Sequence, residues 1–178
     1  MKKKTSSIIL IVVAILVVGG CFFATGNVKK DGKGLTTNLS EADQIIANAQ
    51  AESSAVKEDE MKEYATTDVD GYLYFLKATD KKRLVLVASP TCGYCQVASP
   101  IIQNIAFRHN IKIYYLDTSK FDSDAQAKFV SSDERFAEGF GTPMLLLVSE
   151  GKIHDSVDGL TDTAGYEEFF KTHGYISE

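Results

Sequence analysis

Two stretches, Leu84-Val85-Leu86-Val87-Ala88 and Met144-Leu145-Leu146-Leu147-Val148, each place five apolar residues in a row with no polar alternate. A strand with one wet face alternates apolar and polar residues. An unbroken run of this length fits a strand covered on both faces, as at the centre of a sheet with helices on either side. Such strands require amphipathic helices elsewhere in the chain to cover them.

The helices are legible. Asp68 to Thr79 carries Val69, Tyr72, Phe75 and Leu76 at the spacing of one helix face. The residues after Cys92 read as a helix to about Arg108, with Val97, Ile101 and Ile105 on one side. Ser123 to Phe140 reads as mostly helical, marked by Ala127, Val130 and Phe136, and Thr163 to Thr172 carries Tyr166, Phe169 and Phe170. Tyr64 to Thr67 fits a short edge strand and Ile111 to Leu116 another strand. Glu150-Gly151 fits a tight turn into a return strand ending near Val157. The order β-α-β-α-β-α-β-β-α predicts an α/β domain over residues 61–178. Its central mixed sheet has parallel strands joined by helices and one antiparallel hairpin.

Residues 26–60 read differently. Gly26 to Gly34 is short of apolar residues and fits a flexible spacer. Ser40-Glu41-Ala42-Asp43 has the form of a helix start, with Ile45, Ile46 and Ala49 as a weak stripe to about Ala51. The sequence leaves open whether this helix docks or frays. Ala51 to Glu60 is polar and fits a linker.

Residues 1–25 are set apart by Lys2-Lys3-Lys4 followed by Ile8 to Val18, a run without a polar residue. A positive start and a short apolar core form the pattern of an export signal. Ile8 to Thr25 is also 18 uncharged residues, enough to span a bilayer as one helix. Val18-Gly19-Gly20-Cys21 resembles the lipobox of bacterial lipoproteins, which makes Cys21 a lipidation candidate, although Phe22 and Phe23 are unusual after a lipidated cysteine. Transmembrane anchor and lipid anchor both remain open. Either places the domain outside the cytoplasm on the cell membrane, with the three lysines inside. The net charge is −5 and no basic stripe is interleaved with aromatics, so nucleic acid is not an expected partner.

Cys92 and Cys95, in Ser89-Pro90-Thr91-Cys92-Gly93-Tyr94-Cys95, admit three readings. A structural zinc site normally needs four ligands, and no second cysteine pair accompanies this one; His109, His154 and His173 are scattered and read as surface residues. No metal or other cofactor is expected. A passive crosslink closing so short a loop would contribute little stability. A redox pair uses local physics: Cys92 follows a buried strand and sits where a helix should begin. Unpaired N–H groups and the helix dipole would there stabilise its thiolate. Cys95, one turn further in, would be shielded and would resolve a mixed disulfide by attacking Cys92.

Gly141-Thr142-Pro143 precedes the second apolar run, and a proline there belongs at a strand start or a turn. Cys-Gly-Tyr-Cys followed five residues later by Pro100, Gly-Thr-Pro before a buried strand, and Gly159 sixteen residues after Pro143 together resemble the thioredoxin fold. The resemblance implies a thiol-disulfide oxidoreductase with a cis proline at Pro143 beside the cysteines. Thr142 and Pro143 would offer backbone groups to an extended substrate segment, with Gly93 and Tyr94 tuning the pair and contacting substrate. Reducing thioredoxins carry Trp before the first cysteine and a buried Asp six residues before it; Thr91 and Leu86 stand there. The device that takes the inner thiol's proton is therefore missing or replaced by water. A tethered single domain of this size is most similar to the Gram-positive thioredoxin-like bacteriocin transport accessory proteins. The implied partners are exported cysteine-containing proteins or peptides and a membrane or extracytoplasmic redox partner. A second reading is an adaptor for peptide export with incidental cysteines, and a third, less well matched, is a reductase of cytochrome maturation.

Overall fold

The structure, a computed structural model, describes residues 40–177. The apolar run from Ile8, the lipidation candidate Cys21 and the spacer from Gly26 lie outside the described residues. Among the described residues no helix is long and apolar enough to cross a membrane.

The elements are α1 (Glu41–Ala55), β1 (Ala65–Thr67), α2 (Val69–Lys77), β2 (Arg83–Ala88), α3 (Gly93–Arg108), β3 (Ile113–Asp117), α4 (Ser123–Val130), β4 (Met144–Ser149), β5 (Lys152–Asp158) and α5 (Thr163–Thr172). The sheet order is β1-β3-β2-β4-β5. β3 pairs in parallel with both β1 and β2, whereas β4 runs antiparallel to β2 and to β5. The two apolar runs are the central strand β2 and its neighbour β4. Side chains alternate across the sheet. Leu84, Leu86 and Ala88 therefore pack with α1, α3 and α5, while Val85 and Val87 pack with α2 and α4. Both faces are covered, which is why neither strand carries a polar alternate.

Local chemistry sets most boundaries. Asp68, Asp122 and Asp162 cap α2, α4 and α5 by accepting the amides of Gly71, Ala125 and Gly165. Glu150 and Gly151 both have positive φ, 54° and 78°, as a two-residue hairpin turn of the favoured twist requires. The expected long helix over Ser123 to Phe140 is shorter. It stops at Val130, and a separate 3-10 turn spans Glu134–Phe136. Ser132 Oγ donates to the Phe129 carbonyl at 2.6 Å and Asp133 caps the following turn, so polar side chains take up backbone groups that a continuing helix would use.

The first helix differs most from expectation. It runs to Ala55, past the limit near Ala51, and it docks rather than frays. Ala49 is fully buried in the core shared with α3 and α5. Glu52 accepts from the Thr163 amide at 2.7 Å and the Thr163 hydroxyl at 2.8 Å, supplying a partner for the open N-terminus of α5. One small buried residue and one remote carboxylate leave almost no periodic signal, so the sequence pattern understates this contact. Replacing Glu52 with alanine is expected to cost about 1–3 kcal/mol in urea unfolding, because the carboxylate hydrogen bonds are charge-assisted. Asn38–Glu178 form one compact unit, and among the described residues both cores draw on residues between Ala49 and Ile176. A fragment starting at Asn38 contains all of these and is expected to fold by itself, which circular dichroism checks.

Candidate active site: a cysteine pair at the start of a helix

The loop leaving β2 is tied down before it reaches the cysteines. Thr91 N–H donates to Ser89 Oγ at 3.3 Å, Cys92 N–H to the Ser89 carbonyl at 3.1 Å, and Gln96 Nε2 to the Pro90 carbonyl at 2.8 Å. These bonds hold Cys92 as the N-cap of α3, with extended φ −81° and ψ 120°. Its sulfur takes the place that an aspartate or serine oxygen takes in other helices, accepting the Cys95 amide at 3.3 Å. The same sulfur, as a thiol, donates to the Thr142 carbonyl at 3.3 Å. Cys92 is half-buried and Cys95 only 4% exposed; both are free thiols.

The two sulfurs differ in acidity. Partial burial opposes charge on Cys92, but hydrogen bonds from the Cys95 thiol, the Thr142 side chain and the Cys95 and Tyr94 amides outweigh it. The Cys92 thiol is thus held below the ordinary cysteine value. Burial, joined by the hydrogen bond to Cys92, pushes the Cys95 thiol up. A nucleophile must be a thiolate and within reach, and on both counts Cys92 is better placed than Cys95. Iodoacetamide should accordingly label Cys92 with a pH midpoint below the value of about 8.5 of a free cysteine, and Cys95 only at higher pH. Labelling of both thiols at one common midpoint would remove the distinction.

Every expected residue of the site is brought to one end of the sheet. The Thr142–Pro143 peptide is cis and enters β4 directly opposite the end of β2. Pro143 is buried and its carbonyl accepts the Gly159 amide at 2.8 Å, which ties this loop to the end of β5. Gly159 has φ 89°, a conformation that favours glycine. Gly93 is exposed at the first helical position and Tyr94 is 53% exposed beside it. Pro100 lies within α3 and leaves the Gln96 carbonyl without its helical donor. The histidines are engaged elsewhere: His154 Nε2 lies 2.7 Å from Ser149 Oγ, and His173 Nε2 lies 2.7 Å from Asp155 Oδ2. Both are largely covered, so the surface expectation holds only for His109. Among the described residues no group of three or more potential metal ligands converges.

The structure adds a feature that sequence reasoning did not find. Leu86, at the position where reducing thioredoxins carry Asp, pairs with Tyr115 on β3. Tyr115 and Cys95 border one cavity of about 480 Å³, together with Tyr64, Ser99 and Gln96. Tyr64 and Tyr115 stack with ring centroids 5.6 Å apart, and the Tyr64 hydroxyl donates to the Ser99 carbonyl at 3.0 Å. Burial, with the charges of Asp117 and the two cysteines, pushes Tyr115 up to about 12. It is a neutral phenol at physiological pH. The cavity is roomy enough for water beside Cys95, and the one carboxylate on its border is that of the exposed Glu63. The paired tyrosines of Ile-Tyr-Tyr-Leu were the available signal, but which of them faces the cysteines depends on strand register.

Neither the known protein-family models nor the curated proteins give a match to this chain. Among solved structures it is similar to thioredoxin f2 of Chlamydomonas reinhardtii, at 14% identity and TM-score 0.49, over 65% of this chain and 100% of that one. It is also similar to a thioredoxin of Malassezia sympodialis, at 17% identity and TM-score 0.47, over 64% and 93%. Thioredoxin from Aeropyrum pernix shares 20% identity at TM-score 0.45, over 59% and 82%. The fold reading rests on the sheet itself. Its strand order, the cysteine pair at the start of α3 and the cis proline entering β4 make the domain thioredoxin-like.

Proposed function

We propose that this protein is a membrane-anchored thiol-disulfide oxidoreductase that works outside the cytoplasm on exported cysteine-containing proteins or peptides. The observation that carries the chemistry is the asymmetry of the pair: an accessible Cys92 sulfur accepting a main-chain N–H at the open end of α3, above a buried Cys95. The Cys92 thiolate attacks one sulfur of a substrate disulfide, forming a Cys92–substrate mixed disulfide and releasing the other sulfur as a thiolate. The Cys95 thiolate then attacks Cys92, expelling the substrate's first sulfur and leaving Cys92 and Cys95 joined. Two electrons pass to the substrate, and the reverse sequence oxidises it. The exposed edge of the cis-proline loop beside Cys92 supports recognition of an extended substrate segment. Lys2-Lys3-Lys4 and the apolar run after them support the anchoring and the export.

The direction of electron flow is set by the potential of the pair. The test is equilibration of the fragment from Asn38 with glutathione or dithiothreitol buffers, counting alkylated thiols by mass. A midpoint of about −120 mV marks an oxidant, about −180 mV an isomerase and about −270 mV a reductant. A pair that shows no reversible two-electron transition in this range is not a redox centre, and the proposal then fails.

A further inference from the structure

Helix capping and strand direction together polarise this domain electrically. α2, α3 and α5 all begin at the end of the sheet that carries the cysteines and run away from it. The start of α2 is capped by Asp68 and that of α5 by Asp162, while Lys77, Arg108 and Lys171 stand in the last turns. Each charge complements its helix dipole, and because the helices run the same way the effect repeats. The strands extend the pattern. Asp117 and Asp158 close β3 and β5 at the cysteine end. At the other end Lys81 and Lys82 precede β2, Lys112 precedes β3, and Lys152 opens β5 opposite Ser149.

The far pole is concave as well as basic. A cleft of about 340 Å³ is bordered by Lys81, Lys82, Arg83, His109, Lys112 and Tyr114, and no carboxylate lines it. Arg83 is already neutralised by a two-pronged contact with Asp80 at 2.9 and 3.0 Å. Lys77, Lys81, Lys82, Lys112 and Lys152 are all exposed, and none forms an ion pair among the described residues. Glu150, in the hairpin turn at this end, has its carboxylate 3.9 Å from His154. A chain of net charge −5 thus gathers on one pole, opposite the Cys92 sulfur, five exposed lysines without an ion pair among the described residues, against the single carboxylate of Glu150 beyond the Asp80–Arg83 pair.

We propose that this pole docks on an anionic phospholipid surface, with lipid phosphates entering the cleft, so that Cys92 faces away from the membrane. The acidic cysteine end is repelled by the same surface, which fixes the orientation. Residues 26–39 reach about 46–50 Å at full extension. That exceeds the length of about 20 Å of the six-residue strand β2, so a tether there allows either pole to meet the membrane. Charge then makes the choice. No cysteine takes part, and the docking is independent of the thiol chemistry above.

The fragment from Asn38 tests this without its apolar terminus. It should co-sediment with vesicles of equal parts phosphatidylglycerol and phosphatidylcholine at about 0.1 M salt, not with phosphatidylcholine alone, and release at about 0.5 M as screening shortens. Each lysine near such a surface is worth roughly fivefold in affinity. Joint replacement of Lys77, Lys81, Lys82 and Lys112 by glutamine should therefore weaken binding at least about fiftyfold. The matching arginine variant should retain binding, and Lys120→Gln at the cysteine end should not matter. Circular dichroism of the glutamine variant verifies its fold, and the arginine variant keeps the test decisive if that fold is lost. Absent binding, equal binding to both vesicle types, or undiminished binding by the folded glutamine variant would overturn the proposal. Displacement by millimolar inorganic phosphate would do so too, since it would mark a small-anion site.

Discussion

Cys95→Ala should convert the protein into a trap: substrates attach to Cys92 and stay there, appearing as reducible high-mass adducts on gels and as Cys92-linked peptides by mass spectrometry. The reason is geometric. Cys95 is the sulfur positioned behind Cys92, and the described residues hold no further thiol that could resolve the adduct in its place. Cys92→Ser removes the only accessible thiol of the pair, and exchange should fall by at least about a thousandfold, as for loss of a nucleophile that acts as one unit with its partner. Assayed with a disulfide peptide, Cys92→Ser that keeps more than a tenth of parent activity would contradict the assignment of attack to Cys92. Adducts that survive in the Cys92→Ser, Cys95→Ala double variant would contradict it too.

The second large effect is on stability. Phe129 is fully buried and stacks on Phe136 at 4.7 Å, meets Phe140 edge-on at 4.7 Å, and touches Tyr72 and Phe121 at 5.2 and 5.6 Å. It joins α4 and the following 3-10 turn to α2. Phe129→Ala should cost about 3–5 kcal/mol in denaturant unfolding of the fragment, the usual range for emptying a large aromatic site in a tight core. The Phe136–Phe140 stretch leads into Gly141, Thr142 and Pro143. The same substitution should therefore slow reaction at Cys92 by loosening Thr142, whose side chain helps to hold the Cys92 thiol below its ordinary value, a consequence measurable as a slower alkylation rate below the unfolding transition. A loss below about 1 kcal/mol would mean that the segment between β3 and β4 folds around this site rather than on it.

Some of this could be read from residue order alone, because the physics involved is local or strictly periodic. Five-residue apolar runs bounded by polar or turn residues fit strands covered on both faces, so Leu84–Ala88 and Met144–Val148 pointed to the sheet's centre. Capping aspartates and a Gly-Thr-Pro entry to a strand mark boundaries within a few residues. Two cysteines one turn apart at a helix start already imply unequal thiols, since the N–H groups that favour one charge cannot reach both. Other features depended on residues far apart in sequence meeting in space. Glu52 reaches Thr163 across 111 positions, and its short side chain leaves no periodic trace. Tyr115 faces the cysteine cavity, and Tyr114 does not, because of a register that a one-residue slip would invert. The basic pole is assembled from four loops and element ends, each carrying one or two ordinary surface lysines. Chain order determined which residues would be buried and which sulfur stands at the helix start; the tertiary structure decided what stood beside them, because cross-strand register and helix direction are set only when the whole sheet closes.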